Sequence, residues 1–262
     1  MKSRVGIVVP TLGKRPDYLV QCLSSIRLAA TATSPVHVIV VAPQSFDPSS
    51  FLNDGLIQEV VKDPGTGLAA AINAGLAAMP PEVEYVNWLG DDDLLASGSI
   101  DAATNFLDND PKTVLVFGSC DYIDPTGKVV WTNKSGAYAV PLLRFGPDLI
   151  PQPGALFRKK SFIEVEGLNQ DYDWAFDFDL LIKLSKIGKV SFLDKKLSSF
   201  RWHPESLSVE YRTKSVAEAS KVRISHLPSA LRPISWLWEY PVKKATFAAG
   251  LRVTERAKRL AS

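Results

Sequence analysis

The sequence predicts an α/β protein: a mostly parallel sheet with helices on both faces, followed by a helical C-terminal extension. Three observations predict it. Short runs rich in β-branched residues recur and each stops at a turn signal. Segments with helical periodicity separate them. Residues 228–262 then change composition and become aromatic and basic. With 262 residues, 46% hydrophobic and 22% charged, the chain has an ordinary globular composition and is long enough to bury a full core.

Val5-Gly6-Ile7-Val8-Val9 is a continuous apolar run, as expected of a strand buried on both faces, and Pro10-Thr11-Leu12-Gly13 ends it. Leu19, Cys22, Leu23 and Ile26 recur at helical spacing and predict a helix with one buried face. Residues 36–41 form a second strand, closed by Ala42-Pro43, and residues 57–61 a short third. Residues 68–78 have helical composition. Residues 84–89 are a fourth strand that ends at Gly90 and an acidic triplet, with a helix expected from Ser97 or Ser99.

After a strand over 114–118 the pattern changes. Asp124-Pro125-Thr126-Gly127 is a turn signal between residues 120–123 and 128–131, which predicts a β-hairpin. Residues 179–187 are helical, with Gly188 in the stop position. Short strands over 189–193 and 198–201 and a helix over 213–226 complete one domain, 1–227. Pro228 and Pro233 open the extension, 228–262.

The 30 basic and 28 acidic residues nearly cancel, which removes any general electrostatic case for a nucleic-acid partner. Two cysteines, Cys22 and Cys120, are too few for a disulfide framework or a Cys-rich zinc site. The apolar run after Met1-Lys2-Ser3-Arg4 is too short for a signal-peptide core or a membrane span, and no other segment reaches spanning length. A cytoplasmic protein is expected.

In open parallel sheets ligands bind at the carboxyl ends of the strands. That places residues 10–14, 63–67 and 90–93 on one rim. Asp91-Asp92-Asp93 is the strongest signal there, because three adjacent carboxylates repel one another and a divalent cation removes that cost. In an extended stretch Asp91 and Asp93 would point the same way and face one ion. Mg²⁺ or Mn²⁺ suits such oxygen ligands and commonly takes substrate phosphates as well. The same acids also suit a solvated turn capping the next helix.

Several segments, in order, resemble family 2 glycosyltransferases of the GT-A fold. They are the strand 5–9 with Pro10-Thr11, the stretch Gly67-Leu68-Ala69-Ala70-Ala71-Ile72-Asn73-Ala74-Gly75, and Leu89-Gly90-Asp91-Asp92-Asp93. Downstream, Gln152-Pro153-Gly154-Ala155-Leu156-Phe157-Arg158-Lys159 and Gly167-Leu168-Asn169 are similar to the segment leading to the family's acceptor side. Asp177-Phe178-Asp179 resembles its acidic helix start. Arg201-Trp202-His203-Pro204-Glu205-Ser206-Leu207-Ser208 resembles its late Arg-x-His-x-x-Ser-x-Ser element. The likeness covers about residues 4 to 208.

The resemblance implies a Rossmann-like GT-A sheet and an inverting, metal-dependent transfer from a nucleotide-sugar donor to a glycan or lipid-linked acceptor. It implies Asp93 as the metal ligand, with Asp91 and Asp92 on the donor, and Pro10, Thr11 and Asp63 lining the nucleoside pocket. Asn73 would reach the donor from its helix. Asp177 takes the place of the general base, with Asp179 as the neighbouring choice, and His203 that of a further metal ligand or diphosphate contact. Gln152 and Trp174 fall on the acceptor side, together with Tyr122, Trp131 and Trp202. The chain departs from the common pattern at Ala42-Pro43, Ile72 and Phe176, which leaves the donor base open.

The extension carries seven basic and two acidic residues, while the rest of the chain carries 23 and 26. Trp236-Leu237-Trp238-Glu239-Tyr240 followed by Lys243-Lys244 and later cations suits a helix lying on an anionic membrane surface. An appended helix packed on the domain, or a dimer contact, fits the same residues. Two other classes share the core features: a sugar nucleotidyltransferase, for which Pro10-Thr11-Leu12-Gly13-Lys14-Arg15 is a poor phosphate loop, and a non-catalytic binding module of the same fold.

Overall fold

The computed structural model describes residues 3–31, 35–202 and 211–261. In chain order the elements are β1 (Val5–Pro10), α1 (Pro16–Ala29), β2 (Val36–Ala42), α2 (Ser49–Asn53), β3 (Glu59–Lys62), α3 (Leu68–Ala77) and β4 (Tyr85–Trp88). There follow β5 (Leu94–Leu95), α4 (Ser99–Asn109), β6 (Thr113–Ile123), β7 (Val129–Asn133), a 3₁₀ turn (Gly136–Tyr138), α5 (Ala139–Leu142) and β8 (Leu156–Arg158). The chain closes with α6 (Lys159–Glu164), α7 (Phe176–Ile187), β9 (Lys189–Arg201), α8 (Arg212–His226), a second 3₁₀ turn (Ser229–Ile234) and α9 (Trp236–Ala261).

Among the described residues, nine strands make one sheet in the order β3-β2-β1-β4-β8-β6-β9-β5, with β7 paired to β6. The first four are parallel neighbours; β8 then runs antiparallel to both β4 and β6, and β6 runs parallel to β9. Successive residues of the inner strands face opposite sides. Ile7 and Val9 join one core with Val38 and Val40, while Val8 joins the other with Ile39 and Val41. Helices α1 and α4 cover the first core, through Leu19, Cys22, Leu23, Ile26, Ile100 and Leu107. Helices α3 and α7 cover the second, through Ala69, Ile72, Leu76, Phe176, Phe178 and Leu181. Apolar residues on both faces therefore follow from helices on both faces.

Three element boundaries differ from the sequence expectation. Residues 113–123 are one strand, because Gly118 breaks the apolar run without breaking the pairing. A Cβ there would lie 2.3 Å from the Lys195 carbonyl, so the close approach of β9 requires glycine. The two short strands expected over 189–193 and 198–201 are likewise one, β9, paired along β6 through irregular register. Helix α7 begins at Phe176 rather than 179, which puts both Asp177 and Asp179 in its first turn.

The extension packs on the body. The buried pair Arg223–Glu239 joins α8 to α9, with Nε and Nη2 of the guanidinium each 2.8 Å from a carboxylate oxygen. Phe145 meets Trp238 edge-on at 6.1 Å. Among the described residues no helix is long and apolar enough to cross a membrane.

Candidate active site

The acidic triplet is not extended. Asp93 N–H donates to the Gly90 carbonyl at 3.0 Å, closing a turn that opposes the expected facing of Asp91 and Asp93. The turn gives the three carboxylates different partners. Asp91 accepts from the Thr11 hydroxyl at 2.6 Å. Asp92 and Asp93 converge instead: a Cβ on Gly90 would lie 3.0 Å from both Asp92 Oδ1 and Asp93 Oδ2. Gly90 thus leaves room for two carboxylate oxygens above one backbone position. Arg15 faces the same group, with Nη1 3.3 Å from Asp92 Oδ2 and Nη2 3.7 Å from Asp91 Oδ1.

Arg201 seats this turn from the end of β9. Its backbone N–H donates to Asp93 Oδ1 at 2.9 Å and its Nε to the Asp92 carbonyl at 2.8 Å. The other guanidinium nitrogens donate to the carbonyls of Asp124 and Pro125 and to Gln21 Oε1. Asp93 is buried, and burial first and the Asp92 charge second hold its carboxyl well above the usual range. A buried acid pushed up by a neighbouring acid is electrostatically incomplete and favours a cation. Two hard oxygen donors fit Mg²⁺ or Mn²⁺, so the residues present fit the expected ion. Among the described residues no group of three or more His, Cys, Asp or Glu gathers for a metal. His203, the other expected ligand, lies outside the described residues.

The rim expected to take the nucleoside is formed by nearby strand ends. Thr11 N–H donates to the Val41 carbonyl at 2.9 Å, and Asp63 N–H to the Ala42 carbonyl at 2.8 Å. Pro10 and Thr11 at the carboxyl end of β1 and Asp63 at that of β3 therefore flank the carboxyl end of β2. Asp63 also accepts from Gly65 N–H at 2.8 Å, shaping the turn before α3. Asn73 has a different employment. Its amide exchanges two hydrogen bonds with the Leu168 backbone, at 2.8 and 3.0 Å, and so ties α3 to the loop after α6.

Asp177 and Asp179 differ in their partners. Asp179 is buried between Lys183 at 2.8 Å and His226 Nε2 at 2.7 Å. Burial would raise its carboxyl, but those two partners outweigh it and hold it below the ordinary value. Asp177 accepts from Phe178 N–H at 2.8 Å, and burial raises it to about 6, with the Glu218 charge adding to the shift. Asp148 faces Asp177 as a like charge; burial first and then Asp177 hold it well above the carboxylate range. The Tyr122 phenol is raised by loss of solvent, and the charges of Asp148 and Asp93 both add to that. The Asp177 charge thus reaches Asp148, and the charges of Asp148 and Asp93 both reach Tyr122.

Packing fixes the start of α7 to the strand that carries the triplet. The Phe176 ring lies 6.3 Å from that of Trp88, two residues before Gly90. Gln152 Nε2 donates to Asn87 Oδ1 and to the Trp88 carbonyl, both at 2.9 Å, so this residue, expected on the acceptor side, braces the same strand end. Trp174 lies under the Lys214 ammonium, 5.4 Å from its ring, and 5.7 Å from the Tyr211 ring. Glu218 on α8 accepts from the N–H groups of Asp173, Trp174 and Ala175, at 3.2, 2.7 and 2.7 Å. It ties down the segment that leads into α7 from another helix. Glu218 and Asp148 have no sequence signal of their own; Asp148 stands in a Pro- and Gly-rich loop, and only the fold brings it to Asp177.

The family model described as Glycosyl transferase family 2 matches residues 6–166. A protein of Rickettsia felis named an uncharacterized glycosyltransferase is 28% identical over 216 residues, 77% of this chain and 34% of that protein. The chain spans about a third of the length of such curated relatives. The mannosyltransferase PcManGT from Pyrobaculum calidifontis, in complex with GDP-Man and Mn²⁺, superposes with a TM-score of 0.67 at 18% identity, over 100% of this chain and 79% of that one. S. aureus TarS 1–349 in complex with UDP-GlcNAc superposes with a TM-score of 0.63 at 15% identity, over 87% of this chain and 69% of that one. These similarities fix the α/β fold as that of GT-A glycosyltransferases.

Proposed function

The chain belongs to glycosyl transferase family 2, and from that premise we propose that it moves a sugar, with inversion, from a nucleoside-diphosphate donor to a hydroxyl of a glycan or lipid-linked acceptor. One observation carries the reading: the paired carboxylates Asp92 and Asp93 and the raised carboxyl of Asp177 sit on elements locked together by Phe176 against Trp88. The GDP-Man and UDP-GlcNAc complexes of the two similar structures support a nucleotide-sugar donor.

In this reading Pro10, Thr11 and Asp63 line the nucleoside pocket, and Asp91 positions Thr11 through their hydrogen bond. Asp93 would hold a divalent cation, Mn²⁺ or Mg²⁺, with Asp92 beside it. When bound, the ion draws off the charge that develops on the departing diphosphate. Asp177 takes the proton of the attacking acceptor hydroxyl. A carboxyl that titrates near 6 is ionised at neutral pH and still accepts a proton readily. Arg201 keeps the acidic turn in place, and Glu218 keeps the first turn of α7 aimed at it. Gln152 and Trp174 border the acceptor side.

Incubation with UDP- and GDP-sugars and Mn²⁺ tests the proposal by following release of nucleoside diphosphate. Ion-dependent release, lost in Asp177→Asn, is expected. Release of pyrophosphate from a nucleoside triphosphate instead would move the chain to nucleotidyl transfer.

A further inference from the structure

Helix α9 has two unlike faces. At 100° per residue, Glu239, Thr246, Gly250 and Val253 share one side of the helix. That side is fixed to the body by Glu239 on Arg223, and Thr254, at the border with the opposite arc, accepts from Trp202 Nε1 at 3.2 Å and Arg212 Nη2 at 2.7 Å. Trp236, Leu237, Tyr240, Lys244, Phe247, Leu251 and Lys258 fall within an arc of roughly 100° on the other side. Trp236, Leu237 and Tyr240 are 67%, 56% and 63% exposed, and Phe247, Leu251, Lys244 and Lys258 are exposed as well.

Large apolar groups fully in water are costly unless something covers them. Charge indicates what does. Residues 228–262 carry seven basic and two acidic residues, and one of the acids, Glu239, is turned inward against Arg223. The outward side thus presents Lys244, Arg252 and Lys258 against Glu255. Aromatic rings near one end and cations along the same face match the boundary of an anionic bilayer, where rings enter the headgroup layer and cations meet lipid phosphates. With 26 residues, the helix is about 39 Å long and lies along such a surface rather than crossing it.

We propose that the outward face of α9 docks the protein on an anionic lipid surface. Thr254 of the same helix touches Trp202, which stacks on Tyr122 at 5.5 Å, so the docked helix and the proposed acceptor side of the site share one body. A lipid-linked acceptor would meet the site from that surface. Docking itself does not depend on the transfer reading and is measured without catalysis.

Sedimentation of the full chain with vesicles tests it. Vesicles containing about one-third phosphatidylglycerol are expected to bind it, pure phosphatidylcholine vesicles are not, and added salt weakens the binding. The combined variant Trp236→Ala, Leu237→Ala, Tyr240→Ala should lose vesicle binding while keeping its urea midpoint and its affinity for nucleoside diphosphate with Mn²⁺. Changing Lys244, Arg252 and Lys258 to Gln should weaken binding about fivefold per cation. Failure of the parent chain to bind either vesicle overturns the proposal, as does unchanged binding by the aromatic variant. Self-association that the aromatic variant abolishes, without vesicle binding, would assign the face to a second copy of the chain.

Discussion

Phe176 and Trp88 pack with their ring centroids 6.3 Å apart and their planes tilted by 47°. Each stands just before a group of acids, Trp88 before the turn at Asp91–Asp93 and Phe176 before Asp177. The contact therefore sets the spacing between the two halves of the site. Trp88 is held on its other edge by Phe157 at 5.8 Å, so a gap at 176 cannot close by simple rotation of the indole. Phe176→Ala should cost about 3–4 kcal/mol in urea unfolding. Of the activity that survives, transfer should fall further than donor affinity, because α7 and not the rim is displaced. Equal losses in both would show that the contact serves stability alone.

Asp177 and Asp179 separate by their partners. Asp177→Asn should leave donor binding by calorimetry intact and lower transfer by about 10²–10⁴. Asp179→Asn removes the charge between Lys183 and His226 in a buried site, and should cost about 3 kcal/mol of stability with little change in turnover per folded molecule. The reverse pattern would hand the base role to Asp179.

Much of this was legible in the chain. The runs at 5–9 and 36–41 announced strands with two buried faces, because every residue in them except His37 is apolar and helices cover both sides. The rim was legible because parallel strands end there, and Thr11, Asp63 and the triplet all follow such ends. The conformation of the triplet was not. Alternation of side chains holds only in extended backbone, and the Asp93 N–H to Gly90 bond turns the chain instead. Neither Asn73 nor Gln152 revealed from sequence that its amide is engaged with backbone, since both partners lie dozens of residues away. Glu218 and Asp148 were invisible for the same reason: their significance depends on which element folds beside them.

The pH dependence expected of the proposed transfer follows from Asp177. Its carboxyl is raised to about 6, so it gains its proton, and ceases to act as a base, as pH falls through that value. Initial rates under saturating donor should show an acid limb near pH 6. The Glu218 charge adds to that rise. Glu218→Gln removes it while keeping an oxygen for the 173–175 N–H groups, makes ionisation of Asp177 easier, and should move the limb to lower pH. An unmoved limb, with the variant folded, would disconnect the two carboxyls.

Arg201 donates to four backbone or side-chain acceptors around the acidic turn and is buried while doing so. Arg201→Met keeps much of the volume but strands those acceptors, each at a desolvation penalty of about 1–3 kcal/mol. A loss of about 4 kcal/mol in urea unfolding is expected. The backbone N–H that holds Asp93 remains, so the test of a role in positioning is donor affinity with Mn²⁺ in the folded fraction. It should drop, and Arg201→Lys should restore only part of it, because one ammonium cannot reach the spread of carbonyls that the guanidinium fork spans.

Asp93 brings stability and function into opposition. Its carboxyl is raised by burial and by Asp92, so its ionised form is disfavoured in the folded chain relative to the unfolded one. A raised acid contributes fully below the unfolded value, and that contribution is lost as pH rises through the folded one. Asp93→Asn removes the charge but keeps an oxygen to accept from Arg201 N–H. The variant should therefore be more stable than the parent at pH 7.5 in metal-free buffer, and the difference should vanish toward pH 3.5, where the parent is protonated in both states. The same variant should bind nucleoside diphosphate with Mn²⁺ at least about a hundredfold more weakly. Urea midpoints across pH give the first result and calorimetry the second. A variant that is less stable at pH 7.5, and that still binds donor only when the ion is present, would mean that Asp93 is a structural acid and that the cation is held elsewhere.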